Sequence, residues 1–301
     1  MPGNKRQPAW TKLTVKIAPE AAPGIMDVLL SMARGVEERV AGSQVWLIAY
    51  LPGEPEVGRF LARVRERLQA LREAGLEVGR ASITTRRICS RGWEEAWKAG
   101  LDVVRVTPRL AVKPTWKDYV PAPGEVVVEL DPGMAFGTGH HATTRGCLDA
   151  LARLVRGGEV VFDIGAGSGI LSIAAAKLGA RRVVAIEVDE LAARIAADNV
   201  ALNRTAESVA ITCGSGLRCV RGRADIIVAN LTAAQITELA PAAAAHLRPG
   251  GVFIASGIAA DQAAAVRDAV AHAGMTLRES RERDHWVTMV WEVGGNAPPA
   301  G

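Results

Sequence analysis

The chain is poor in the features that mark secreted and membrane proteins. Cysteine occurs four times in 301 residues, at Cys89, Cys147, Cys213 and Cys219, with no pair at C-x-x-C spacing. That argues against a disulfide framework and a zinc site, and makes a reducing cytoplasm the expected location. No apolar run is long enough to span a bilayer, so no membrane role is expected. Met1 to Pro8 carries charge with no apolar core behind it, which does not read as a secretory signal. Aromatic residues make up only 4% of the chain. Its first ninety residues show no aromatic-interleaved basic platform, the pattern that would point to RNA, so no direct nucleic-acid binding is required.

What is present is ample for folding. Hydrophobic residues make up 49% and charged residues 23%, over a length that suits two domains. The net charge of +4 is uneven. Residues 1–89 hold 14 Lys and Arg against 9 Asp and Glu, or +5, whereas the remainder hold 22 against 23, or −1. An ordinary solvated surface accounts for this excess; the sharper reading is contact with an acidic partner surface.

The chain is organised around Val160-Val161-Phe162-Asp163-Ile164-Gly165-Ala166-Gly167-Ser168-Gly169-Ile170. An apolar run ends in an acid, three glycines follow at alternate positions, and an apolar amphipathic stretch comes next. This predicts a buried parallel strand, a tight turn and a helix. The turn lets a ligand approach the backbone, and the helix start offers free N–H groups. Dinucleotide loops read G-x-G-x-x-G, but here Ile170 takes the place of the last glycine. Asp163 would repel a pyrophosphate and attract an ammonium. The expected ligand carries an ammonium and no phosphate, and S-adenosylmethionine fits.

The neighbours support that reading. A second strand, Arg182 to Ile186, ends at Glu187, where an acid can hydrogen-bond ribose hydroxyls. Asp189 reads as the cap of the next helix. A third strand spans 209–213, and a fourth, 225–229, ends at Asn230. Asp163, Glu187 and Asn230 thus stand at carboxyl ends of strands, where open α/β sheets bind ligands.

Residues 163–228 resemble a class I S-adenosylmethionine-dependent methyltransferase. The stretch Asp131-Pro132-Gly133-Met134-Ala135-Phe136-Gly137-Thr138-Gly139-His140-His141-Ala142-Thr143-Thr144 narrows the likeness. It is similar to the D-P-G-x-A-F-G-T-G-T-H-P-T-T signature of the ribosomal protein L11 methyltransferase (PrmA) family, with His140 in place of Thr and Ala142 in place of Pro. Asn230-Leu231-Thr232-Ala233 stands where that family has N-I-L-A. The resemblance implies an α/β fold with a mostly parallel Rossmann-like sheet, its last strand antiparallel, behind an N-terminal ferredoxin-like α+β domain. It also implies methyl transfer to lysine side-chain or N-terminal amines of ribosomal protein L11. Another lysine-bearing protein, such as the electron-transfer flavoprotein β-subunit, is the alternative substrate. A nicotinamide oxidoreductase is disfavoured by Ile170 and Asp163, and an inactive binding protein by the intact acids.

On this reading Asn230 and Phe136 are catalytic: Asn230 accepts a hydrogen bond from the amine and Phe136 walls the methyl channel. Thr138, Asp163, Gly165, Gly167, Gly169, Glu187 and Asn230 hold the cofactor. No metal is expected. His140 and His141 have no acid or cysteine at ligand spacing and read as loop structure.

The order βαββαβ over residues 12–88 predicts the ferredoxin-like domain. Its substrate-recognition role is assigned to residues 1–90. Residues 91–123 read as a proline-rich connector, with Trp93 and Trp97 anchoring a short helix. Residues 124–294 read as the methyltransferase domain, with Asp261 capping its last helix, and 295–301 as a disordered tail. A monomer is expected.

Overall fold

The structure, a computed structural model, describes residues 10–30, 36–52, 55–88, 101–131 and 137–294. It divides into two compact units, Met1–Gly100 and Leu101–Gly301. Phe136, Trp93, Trp97 and the segment 295–301 lie outside the described residues.

In the first unit the strands are β1 (Trp10–Ile17), β2 (Val36–Ala41), β3 (Gln44–Pro52) and β4 (Ser82–Ile88), with helices α1 (Ala22–Leu30) and α2 (Pro55–Glu73) between them. The antiparallel sheet runs β2-β3-β1-β4, the order expected for a ferredoxin-like unit. Alternation explains why it folds. Leu13, Val15 and Ile17 of β1 and Val45, Leu47 and Leu51 of β3 share one buried cluster with Ile25 and Leu29 of α1 and Phe60, Val64 and Leu68 of α2. The helix expected from Pro19 onward begins as a 3-10 turn, Pro19–Ala21, and becomes α-helical at Ala22.

The opposite sheet face brings basic and aromatic residues together. The register sets Trp46 beside Lys16, and Tyr50 beside Lys12, which in turn pairs with Arg86. The Lys16 ammonium lies 4.0 Å from the Trp46 ring centroid, a cation–π contact. A basic face with interleaved aromatic rings therefore exists. It is scattered over three strands in sequence, and only pairing assembles it.

The second unit opens with β5 (Val104–Thr107) and β6 (Leu110–Pro114), joined by a turn at Pro108 and Arg109, and β6 pairs in parallel with β7 (Val126–Leu130). Residues 104–114 were expected within the connector. Instead Leu110 and Val112 are buried in the main core, which prolines at the strand ends do not prevent.

The main sheet comprises β8 (Val160–Ile164), β9 (Arg182–Glu187), β10 (Val209–Cys213), β11 (Ala224–Asn230), β12 (Leu247–Ala259), β13 (Met275–Arg283) and β14 (Trp286–Val293). Their order is β10-β9-β8-β11-β12-β14-β13, with β14 antiparallel to both its neighbours. Helices α3 (Ala142–Leu154), α4 (Ile170–Lys177) and α5 (Glu190–Leu202) cover one face; α6 (Ala233–His246) and α7 (Ala263–His272) cover the other. Both sides of β8 are therefore buried, which is why its sequence is continuously apolar around Asp163. The chain leaves β8 toward β9 on one side and returns to β11 on the other, so the strand order reverses at β8. Crevices at such reversals are where open α/β sheets take ligands.

Two caps separate expectation from outcome. Asp189 does cap α5, accepting from the Leu191 and Ala192 N–H groups. Asp261 does not cap α7. It lies in a 3-10 turn, Ala260–Gln262, and Gln262 precedes the helix without a side-chain cap.

Candidate active site

The glycine loop is held in shape by β9. The Gly165 and Ala166 N–H groups both donate to the Ile186 carbonyl, at 2.8 and 3.1 Å. Gly165 and Gly169 have φ of 76° and 81°, the left-handed region where glycine carries no steric penalty. A Cβ on Gly165 would fall 2.6 Å from Leu231 Cδ2, so the residue after Asn230 packs directly over the first glycine. The helix behind the loop begins at Ile170. All three glycines, Asp163, Glu187 and Asn230 thus gather at one end of the sheet.

Asp163 points to the face covered by α3 and α4 and is completely buried. Ser172 Oγ donates to its Oδ2 at 2.6 Å. Its Oδ1 has no partner among the described residues. Burial pushes the carboxyl up to about 7, with the Glu187 charge adding to the rise and the Ser172 hydrogen bonds opposing it. A buried carboxylate oxygen without a donor is costly, and an incoming ammonium supplies what it lacks. The buried Cys147 thiol, on α3, is pushed up as well, by burial first and then by the Asp163 charge.

Glu187 is tied to the same loop. Its Oε2 accepts from Gly167 N–H at 2.8 Å, and its Oε1 from Val188 and Asp189 N–H at 2.8 and 3.0 Å. A carboxylate offers about four lone-pair sites, and three are used. One remains for a ribose hydroxyl; holding both hydroxyls requires release of one backbone bond. Glu187 therefore shapes the loop, a job that the sequence did not disclose.

Asn230 ends β11, in register with Ser256 of β12. Its Nδ2 donates to Thr144 Oγ1 at 3.2 Å. Helix capping, the alternative use of this asparagine, falls to Thr232 instead. The Thr232 hydroxyl accepts from Gln235 N–H, and the Gln235 side chain accepts from Thr232 N–H in return. Thr138 lies just past Gly137, whose carbonyl accepts from Ser168 Oγ of the glycine loop at 2.7 Å. Its own Oγ1 accepts from His140 N–H at 3.4 Å.

The two histidines have structural partners. His140 Nε2 accepts from Asp102 N–H at 3.2 Å, while its Nδ1 sits 3.3 Å from the Thr138 carbonyl. One tautomer, with the proton on Nδ1, satisfies both contacts. His141 caps α3 and meets Trp286 edge-on, with ring centroids 5.2 Å apart. Burial lowers its pKa. Among the described residues no group of three or more His, Cys, Asp or Glu could hold a metal ion.

Sequence reasoning missed a pair of asparagines on α5 and just beyond it. Asn199 Nδ2 donates to Ser168 O at 2.9 Å, and its Oδ1 accepts from Asp131 N–H at 3.0 Å. Asn203 brackets Glu129, accepting from its N–H and donating to its carbonyl. Both are buried, and together they bind β7 to the glycine loop. The available signal was two amides at i, i+4 on an otherwise aliphatic helix face.

The family model described as ribosomal protein L11 methyltransferase (PrmA) matches residues 9–293. A ribosomal protein L11 methyltransferase of Pelotomaculum thermopropionicum is 39% identical over 300 residues, which cover 93% of this chain and 97% of that protein. One from Streptococcus equi subsp. zooepidemicus is 32% identical, covering 94% and 96%. Among solved structures, the ribosomal protein L11 methylase of Lactobacillus delbrueckii subsp. bulgaricus superposes with a TM-score of 0.61 at 33% identity, over 64% of this chain and all of that one. A glycine loop at a strand-order reversal, flanked by three polar strand ends, thus coincides with a family match that runs through both units: the chain belongs to the ribosomal protein L11 methyltransferase (PrmA) family.

Proposed function

We propose that this protein transfers methyl groups from S-adenosylmethionine to lysine side-chain or N-terminal amines of ribosomal protein L11. The observation that carries the proposal is the unpartnered Oδ1 of the buried Asp163, beside a glycine loop and within one sheet end shared with Glu187 and Asn230. The names of the relatives supply the substrate.

The residues fit the cofactor by their chemistry. Asp163 suits its ammonium, the spare lone pair of Glu187 a ribose hydroxyl, and the glycine backbone its close approach. When bound, the cofactor supplies an activated methyl group on a sulfonium. The protein must then deliver a neutral amine. A lysine of pKa ≈ 10.4 is neutral in roughly one molecule in 2,500 at pH 7, a cost of about 4–5 kcal/mol. Fixed in-line placement can contribute about 7–11 kcal/mol, so orientation outweighs deprotonation. Asn230 orients the amine through its amide oxygen without adding a charge that would hold the amine protonated. Phe136 is assigned to the methyl channel and Thr138 to the methionine end of the cofactor. No metal or covalent intermediate is needed, since the leaving group is already activated.

Recognition of the substrate protein is assigned to the first unit. The Lys12, Lys16, Arg86, Trp46 and Tyr50 face supports that assignment, and so does the lack of buried acids among its described residues. The test is incubation of the protein with labelled S-adenosylmethionine and purified ribosomal protein L11, followed by mapping of the label. Label on lysine or the N-terminal amine is expected. An unlabelled L11 beside a labelled band from cell extract would transfer the activity to another substrate.

A further inference from the structure

We propose that Asn199 is a positioning residue: with Ser168 it clamps Asp131 and Gly137 onto the glycine loop and so fixes where Thr138 stands. The proposal rests on the cofactor-binding role given to Thr138 above. At the entry end, Asn199 Oδ1 accepts from Asp131 N–H at 3.0 Å, while its Nδ2 donates to the Ser168 carbonyl at 2.9 Å. A backbone N–H can only donate and a carbonyl can only accept, so these two partners admit one orientation of the amide. At the exit end, the Ser168 hydroxyl donates to the Gly137 carbonyl at 2.7 Å, which commits its proton in the same way. One residue of the glycine loop therefore holds the chain where it leaves β7 and again where it reaches Thr138.

The surroundings leave the clamp little play. Helix α5 lies so close to the glycine loop that a Cβ on Gly169 would fall 3.2 Å from Ala196 Cβ. That approach brings Asn199, one helical turn after Ala196 and on the same face, within reach of Ser168. Gly137 has a φ of +101°, and a Cβ there would fall 2.9 Å from Ser168 Oγ, so only glycine admits the hydroxyl. Ser168 and Asn199 are both buried, so water does not compete for these bonds. Attaching α5 to β7 does not by itself require Asn199. Asn203, one turn further on, already brackets Glu129 and also donates to the Asn199 carbonyl, without touching the glycine loop. What Asn199 adds is the link from the end of β7 to Ser168. It need not touch the ligand to matter, because it acts through Ser168 and Gly137 on Thr138, as the supporting layer of a preorganised site.

Asn199→Ala opens the entry end and Ser168→Ala the exit end. Asn203→Ala cuts a buried tie that does not reach the glycine loop, and Thr138→Ala removes the group being placed. The dissociation constant of S-adenosylmethionine, the KM for purified L11, the melting temperature and amide exchange without cofactor are measured for each. Asn199→Ala is expected to weaken cofactor binding by about tenfold and Ser168→Ala by about fivefold, as the loss of one or two hydrogen bonds implies, with the KM for L11 within about twofold of the parent. The two combined should bind no more than about twofold more weakly than Asn199→Ala alone, since a clamp opened at one end no longer restrains the other. Asn199→Ala should also speed exchange of the His140 N–H, which lies beyond the exit end. Asn203→Ala should lower the melting temperature yet bind cofactor within about twofold of the parent. Parental affinity in either Asn199→Ala or Ser168→Ala, beside a weakened Thr138→Ala, overturns the clamp and leaves Thr138 in place. Parental affinity in Thr138→Ala overturns the role of Thr138, and this proposal with it. An equal loss in Asn203→Ala, or additive losses in the double variant, reduces Asn199 to packing. Should Asn199→Ala fail to fold, the affinity and His140 exchange of Ser168→Ala decide alone.

Discussion

The two units bury polar groups very differently. Among the described residues of 10–88 the buried set is apolar but for Thr11. In residues 101–294 it includes Thr143, Thr144, Asp163, Ser168, Ser172, Glu187, Asn199, Asn203, Thr205 and Ser256, most of them within reach of the carboxyl ends of β8, β9 and β11. Buried polar groups cost free energy unless partnered, so a fold keeps such a cluster where it organises a site. The first unit is an apolar core behind a basic, ring-bearing sheet face. The second gives up stability at one sheet end to hold a ligand.

The largest test of that division is to separate the units. A chain beginning at Leu101 should bind S-adenosylmethionine within a few-fold of the full protein, yet methylate L11 slower by on the order of a hundredfold or more, since effective concentration at the site is lost. Full-rate methylation by the second unit alone would mean that recognition does not reside in the first.

Next in size is Asn230→Asp. Because Thr232 caps α6, the substitution leaves the helix start untouched. The added charge holds the incoming lysine protonated, and turnover at pH 7 should fall by about a hundredfold with partial recovery as pH rises. A pH-independent defect would argue for misfolding rather than amine protonation.

Glu187→Ala should weaken cofactor binding by roughly tenfold to several hundredfold, the equivalent of one or two charged hydrogen bonds. It also frees the N–H groups of Gly167, Val188 and Asp189, so faster amide exchange there is expected alongside the loss. An unchanged dissociation constant would remove Glu187 from the ligand set.

Asp163 offers two smaller effects of opposite sign. Its folded-state pKa is raised to about 7. Pairing with an ammonium needs the ionised form, so cofactor affinity should fall by up to about tenfold per pH unit below 7. Folding stability runs the other way. From pH 4 to about 7 the native state holds a proton that the unfolded chain has lost, so stability falls as pH rises through that window. Asp163→Asn should abolish the slope and raise stability at pH 8 by about 1–4 kcal/mol, while cofactor binding weakens by about tenfold. Calorimetry across pH on parent and variant separates the two; a variant that binds cofactor normally would place the ammonium elsewhere.

The strands, the glycine loop and the strand-end acids were legible in the sequence because each is a local signal. Apolar runs, alternate glycines and a polar residue closing a strand are set by near neighbours along the chain. The same locality explains why β5 and β6 were missed. Their apolar pattern is short and interrupted by Pro108, and only burial of Leu110 and Val112 in the second unit's core makes it a hairpin.

What only the tertiary structure decided are matters of partnership across long separations. Asn230 and Thr144 are 86 residues apart, Asn199 and Asp131 are 68, and Trp46 meets Lys16 only through strand pairing. The sequence by itself determined that an acid follows Phe162; it did not determine that Ser172 would satisfy one oxygen of that acid and leave the other bare. Hydrogen bonding is directional and short-ranged, so a side chain's partner depends on where distant backbone is placed. Hydrophobic burial is non-directional and follows composition and period, which is why the fold could be read along the chain and the wiring of its site could not.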